Sequence, residues 1–146
     1  MKHAAWICLL STVCLVSAAS AQSQHVAHFK SVVGKVSVMR DGGPFLAEAG
    51  TLLHVADRLV SAPGASAGIA FKDGTTLTLG PASELLVRDF VFEPREARYA
   101  FSVYLAKGAA VYSSGKIGKL APEAVKVDSP QATVGVRGTS FIIQAD

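Results

Sequence analysis

Apolar positions along this chain come in short runs, and alternation with period two recurs where helical spacing is hard to find. Gln22 to His28 is polar and reads as a loose lead into a domain. Phe29 to Arg40 follows as a half-buried strand, Val36 and Val38 alternating with Lys35 and Ser37. Asp41-Gly42-Gly43-Pro44 is a strong break. Leu52 to Ser61 forms a second apolar segment, closed by Ala62-Pro63-Gly64. Then come Ala67–Phe71, Thr75–Leu79, Leu85–Phe92, Tyr99–Leu105, Ala109–Tyr112, Ala124–Asp128 and Thr133–Gln144. Gly and Pro punctuate nearly every stretch long enough for three helical turns. About nine or ten short strands at this spacing predict an all-β domain.

Two local patterns are sharper than the fold class. Asp73-Gly74 lies between apolar runs, and a two-residue turn there would pair Phe71 with Thr76 and Ile69 with Thr78. That register turns Leu77 and Leu79 away from Ile69 and Phe71. A three-residue loop, Lys72-Asp73-Gly74, instead pairs Phe71 with Thr75 and Ile69 with Leu77. All four apolar side chains then share one face, with Gly74 in the left-handed conformation that glycine adopts cheaply. Near the C-terminus the large residues Val134 and Val136 are even-numbered, whereas Phe141 and Ile143 are odd. One extra residue at Arg137-Gly138 restores a common face, so a β-bulge or sharp bend is expected there.

The N-terminal run changes how the composition is read. Lys2 precedes an apolar stretch from Ala4 to Ala18, broken by Ser11, Thr12 and Ser17, and Ala19-Ser20-Ala21 provides a small-x-small cleavage site. The stretch is shorter than the roughly 20 residues a spanning helix needs. Neither Ile7-Cys8 nor Val13-Cys14 offers the small residue that lipid attachment uses. The expectation is a signal peptide over 1–21, cleaved after Ala21, a flexible segment over 22–28 and one domain over 29–146, exported to the periplasm with no stable membrane insertion. Removing 21 of the 146 residues leaves 125, enough for a single domain with a real core.

Both cysteines, Cys8 and Cys14, fall in the leader, so the expected domain has no disulfide, thiol nucleophile or thiolate ligand. Of its 14 Lys and Arg residues only Lys2 is lost, leaving 13 against 11 acids. That balance is too even for nucleic acid binding, which needs a concentrated basic stripe. Lys107, Lys116, Lys119 and Lys126 read as solvated charges. His25 and His28 have ligand-like spacing but no acid or cysteine nearby, and His54 reads as half-buried and hydrogen-bonded. No nucleophile elbow or Ser-x-x-Lys motif is present. Asp73 is explained by its turn, and Asp57, Asp89 and Asp128 by strand ends. Arg137 is the one possible binding residue, since a guanidinium beside a bulge can hold a carboxylate. The structural alternative is a bond to neighbouring carbonyls or to Asp128. Neither an enzyme nor a cofactor or metal site is expected.

Several segments together resemble the FecR domain family: Gly34-Lys35-Val36, Asp57 before an apolar strand, and Ala70-Phe71 followed by Lys72-Asp73-Gly74-Thr75. Leu105 with Gly108-Ala109-Ala110-Val111, and Ser129-Pro130-x-Ala132 with Val136-Arg137-Gly138-Thr139-Ser140-Phe141, continue it in the same order. The resemblance runs from about Ser31 to Gln144. One departure is Ala56-Asp57, where the family more often has Gly-Asp, so this turn is expected to be built differently. The resemblance implies a small, twisted all-β extracytoplasmic module, solenoid-like or sandwich-like. It marks Asp57, Asp73, Gly74, Thr75, Gly108, Arg137, Gly138 and Thr139 as family-motif and turn positions. Signalling members carry a cytoplasmic sigma-regulator segment and a membrane helix ahead of the module, and relay the state of an outer-membrane receptor. This chain resembles a stand-alone module without them.

Three functions follow in order. The first is a non-enzymatic binding module that recognises an envelope protein by a strand edge or loop face. The second is a cell-wall or glycan-associated scaffold. Trp6 is in the leader, so that reading needs Tyr99, Tyr104 and Tyr112 to cluster in an exposed groove. A small-molecule or metal carrier comes last, for want of ligand clusters.

Overall fold

A computed structural model describes residues 24–135 and 140–146. The expected leader lies outside these residues, as do Val136, Arg137, Gly138 and Thr139, where the bulge and the possible binding arginine are expected. The all-β expectation holds, with twelve strands among the described residues. They are β1 (Ala27–Val33), β2 (Val36–Arg40), β3 (Gly43–Leu46), β4 (Leu52–Leu53), β5 (Arg58–Ser61), β6 (Ser66–Phe71), β7 (Thr76–Leu79), β8 (Glu84–Glu93), β9 (Arg98–Ser113), β10 (Val125–Asp128), β11 (Thr133–Gly135) and β12 (Ser140–Ala145). One short helix, α1 (Lys116–Leu120), follows β9.

The strands join in one sheet that doubles back on itself. One half runs β3-β2-β5-β8-β9 and continues through β10 to β11. The other runs β4-β1-β6-β7-β9 and ends with β12. Neighbours are antiparallel except β9 and β10, which run parallel. The strand β9 serves both halves. Its first part, Arg98–Lys107, pairs with β8, and its last, Ala110–Ser113, pairs with β7.

Alternation along the strands builds a single core. Val36 and Val38 on β2, Ile69 and Phe71 on β6, and Leu77 and Leu79 on β7 are all buried. The hairpin β6–β7 takes the three-residue loop: Ile69 pairs with Leu77, the Phe71 N–H donates to the Thr75 carbonyl at 2.8 Å, and Gly74 has φ 87°. An aromatic chain threads the core, with ring centroids 4.9 Å apart for Phe71–Phe101, 5.6 Å for Phe101–Tyr112 and 5.0 Å for Tyr112–Phe141. Since Phe101 and Tyr112 both belong to β9, this chain ties the two halves together. Edge-on and offset ring contacts of this kind add to the burial of the rings themselves.

Several elements differ from the sequence expectation, among them Leu52–Ser61, which holds two strands, β4 and β5. Phe29–Arg40 is two strands, because Gly34 at φ 75° turns the chain between β1 and β2. The sheet also starts at Ala27, and Val26 already donates to Leu53 at 2.8 Å. Gly43 and Pro44 are inside β3, where Pro44 is tolerated because that strand is at the sheet's end. Tyr99–Leu105 and Ala109–Tyr112 are one strand of 16 residues, since Gly108 bends β9 without ending it.

Candidate functional site

The family-motif residues occupy three junctions. In the first, Asp57 is buried just before β5 and takes the Arg40 guanidinium through two bonds, 2.8 Å from Nε and 2.6 Å from Nη2. The His54 N–H adds a third at 2.8 Å. A buried carboxylate needs this compensation, because a charge removed from water without partners is costly. The bond to Asp57 raises the Arg40 pKa, with burial opposing it. Arg40 also lies 5.0 Å from the centre of the Phe45 ring. His54 is half-buried, but its expected side-chain hydrogen bond is not formed at Nδ1, which is buried 4.0 Å from Asp57 Oδ2. Ala56 has φ 76°, so the turn keeps a left-handed residue although alanine stands there. Arg40, Asp41, His54, Val55, Ala56 and Asp57 line a half-open cleft of about 340 Å³.

At the second junction Asp73 organises a turn and a helix together. Its Oδ1 accepts from the Thr75 N–H at 3.0 Å, and its Oδ2 from the Thr75 hydroxyl at 2.6 Å and the Ile117 N–H at 3.1 Å. The Asp73 carbonyl takes the Lys116 N–H at 2.8 Å. One aspartate thus closes its own loop and caps a helix 44 residues away, satisfying donors that a helix start leaves unpaired. Gly115 allows the approach, since a Cβ there would sit 2.7 Å from the Asp73 carbonyl oxygen. Tyr112 is buried beside this turn. Burial raises its pKa, and a hydrogen bond with Ser114 partly opposes the shift.

Gly108 marks the third junction, where β9 passes from one half of the sheet to the other. It has φ 89°, and a Cβ there would stand 2.6 Å from Ser83 Cα. Ser83 Oγ accepts the Ala109 N–H at 3.0 Å, and the Ser61 hydroxyl donates to the Gly80 carbonyl at 2.6 Å. The two serines so pin the bend from within.

These three clusters are separate. Among the described motif positions, the Asp57 and Asp73 oxygens are occupied by donors of the chain itself. Asp128 pairs with Arg88 at 3.1 Å, and Arg88 also lies over the Tyr104 ring at 4.3 Å. The tyrosines share no groove: Tyr112 is in the core, Tyr104 is under Arg88, and Tyr99 packs against Phe92. His28 is exposed on β1. Among the described residues no group of three or more His, Cys, Asp or Glu is placed to hold a metal ion.

The topology locates the strand edges among which the expected recognition edge is to be sought. Among the described residues four strands have a neighbour on one side only: β3, β4, β11 and β12. Two are blunted, β4 by its two residues and β3 by Pro44, and β11 contributes three described residues. The fourth, β12, has six residues, Ser-Phe-Ile-Ile-Gln-Ala, with neither charge nor proline. Ile143 and Ala145 are buried, Phe141 packs against the core, and Ile142 is 69% exposed beside the exposed Val111. The alternation of Ser140, Ile142 and Gln144 was visible in sequence, but which strand lacks a neighbour depends on the whole topology.

Comparison with curated proteins and with solved structures returns no match. A family model described as FecR protein matches residues 57–146, which begins at the buried Asp57 and takes in the Asp73 turn, the Gly108 bend and β12. Among the described residues no helix is long and apolar enough to cross a membrane. With well over half of its length matched, and with the matched residues holding the junctions on which the fold depends, this chain belongs to the FecR family.

Proposed function

We propose that this chain is a non-enzymatic binding module of the bacterial cell envelope, exported to the periplasm, that recognises protein by adding a strand to its sheet in envelope signalling or assembly. The observation that carries the reading is the β12 edge: six residues with no charge, no proline and an exposed Ile142. Backbone groups on such an edge supply affinity to an incoming strand, and the alternate side chains supply selectivity. An outward apolar residue at the centre of the edge favours a partner strand with an apolar residue opposite it. The family membership supports a place in signalling, where modules of this kind work through protein partners. The family-motif aspartates are taken up by internal bonds, which supports binding rather than catalysis.

The test is site-specific photocrosslinking in the native host. A photoreactive residue at position 142 should give a discrete protein adduct, and one at Phe45 on the blunted β3 edge should not. Adducts at neither position, or equal adducts at both, would remove strand addition at β12 as the mode of recognition. An N-terminus beginning at Gln22 in the protein recovered from the periplasm would establish export and cleavage.

A further inference from the structure

We infer that Asp41-Gly42, in the turn between β2 and β3, is a site of spontaneous isoaspartate formation, and that the fold protects the second Asp-Gly pair, Asp73-Gly74. This stands apart from the reading of the β12 edge and does not depend on it. The chain has two Asp-Gly dipeptides and no asparagine, so isoaspartate here arises from aspartate and not from deamidation. The step joins the Gly42 main-chain nitrogen to Asp41 Cγ. As that N–C bond forms, a C–O bond of the carboxyl group breaks, and its hydroxyl leaves with the amide proton as water. The product is a five-membered cyclic imide. Water then opens the ring, either at Cγ to restore aspartate or at the main-chain carbonyl to leave Gly42 joined through Cγ.

The path needs a free carboxyl group beside a free, unhindered nitrogen, and the structure separates the two dipeptides on both counts. Asp41 is exposed at the rim of the half-open cleft, and its carboxylate has no hydrogen bond or ion pair with any described residue. Gly42 is exposed as well. Its N–H donates to no described group, and a Cβ added there would find nothing within 4 Å. At the other pair the nitrogen is engaged, since the Gly74 N–H donates to the Phe71 carbonyl at 3.0 Å. The Asp73 carboxylate is buried and held by the Thr75 N–H, the Thr75 hydroxyl and the Ile117 N–H. Asp73 must release these donors before it reacts, which slows it about a hundredfold or more. The effect of the change at Asp41 is local. An isoaspartyl link adds one main-chain atom to a two-residue loop whose ends, Arg40 and Gly43, are paired. That pairing cannot keep its register. Among the described residues β3 has β2 as its one neighbour, and all four of its residues are exposed, so the core stays in place.

The experiment ages the purified protein for several weeks at neutral pH and physiological temperature, folded in one sample and unfolded in guanidinium chloride in another. Peptides are then mapped by mass spectrometry with electron-transfer fragmentation, which distinguishes isoaspartyl from aspartyl peptides of equal mass. Isoaspartate should form at position 41 in both samples, and at position 73 in the unfolded one alone. Asp41→Glu should suppress the product at position 41, because the ring would then need six members, and should leave melting unchanged. In the aged folded protein, amide exchange should quicken in β3 while the urea midpoint holds. Absence of isoaspartate from position 41 in the folded protein would overturn the inference, as would formation at 73 as fast as at 41. If Asp73 stays unreacted even in guanidinium chloride, protection by the fold is refuted.

Discussion

Replacing Gly108 by alanine tests the idea that β9 bends through a point where no side chain fits. The perturbation is a single methyl group. In the left-handed region it costs about 1–2 kcal/mol for backbone strain alone. The new Cβ would also stand 2.5 Å from Ser83 Cβ and 2.6 Å from Ser83 Cα, atoms that no rotamer change can withdraw. Forcing extra volume into filled space adds about 1–3 kcal/mol. If Ser83 shifts, its bonds to Ala109 weaken, at about 1 kcal/mol. The sum is about 3–6 kcal/mol, a large part of the roughly 5–15 kcal/mol that holds a domain folded. Urea denaturation should show the midpoint falling steeply with little change in slope. Gly64→Ala is the matched control: Gly64 has φ 78° with nothing within 4 Å of the added Cβ, so only the backbone cost applies. If Gly108→Ala costs no more than Gly64→Ala, the close approach to Ser83 is not what requires glycine there.

Other outcomes follow from the same geometry. Ala56→Gly relieves a left-handed alanine and should raise stability by about 1 kcal/mol, measurable as a higher melting temperature. Asp73→Ala leaves the Thr75 and Ile117 N–H groups without their acceptor and should cost about 2–4 kcal/mol, with protection lost first at the α1 amides in hydrogen exchange. Tyr112→Phe tests the phenol's environment. Its folded pKa is raised above the ordinary 10.0, so the folded state holds that proton more tightly than the unfolded chain does. Its contribution to stability is therefore complete below pH 10.0 and is lost as pH rises beyond it. The wild type should lose stability above that point more steeply than Tyr112→Phe, as read from urea midpoints across the alkaline range.

Much of the sheet was legible because side-chain alternation is a local property. The β6–β7 loop length followed from asking which register buries Ile69, Phe71, Leu77 and Leu79 together, and β2 followed from Val36 and Val38. Reading failed where the meaning of a residue is set at long range. Gly108 looks like a break between two strands, yet it bends one strand, because Ser83 receives the chain on the other side. The helix Lys-Ile-Gly-Lys-Leu has only five residues and an internal glycine, and it gains its N-terminal support from Asp73, far away in sequence. The pairing of Arg40 with Asp57 and the exposed edge of β12 are likewise products of topology. The sequence places Asp57 at a strand end and Asp73 in its turn, but which donors each carboxylate takes is set by the fold.

The double membership of β9 has a consequence for how the molecule opens. Two packed sheets that share no strand can separate or fray independently. Here any motion that frees one half must break hydrogen bonds of the strand that also anchors the other. Amides near the middle of β9 should therefore exchange with solvent only through global unfolding, while β3 and β4 exchange by local fraying. A domain wired in this way behaves as one cooperative unit. A pull or a bound strand at the β12 edge would act directly on its central strand.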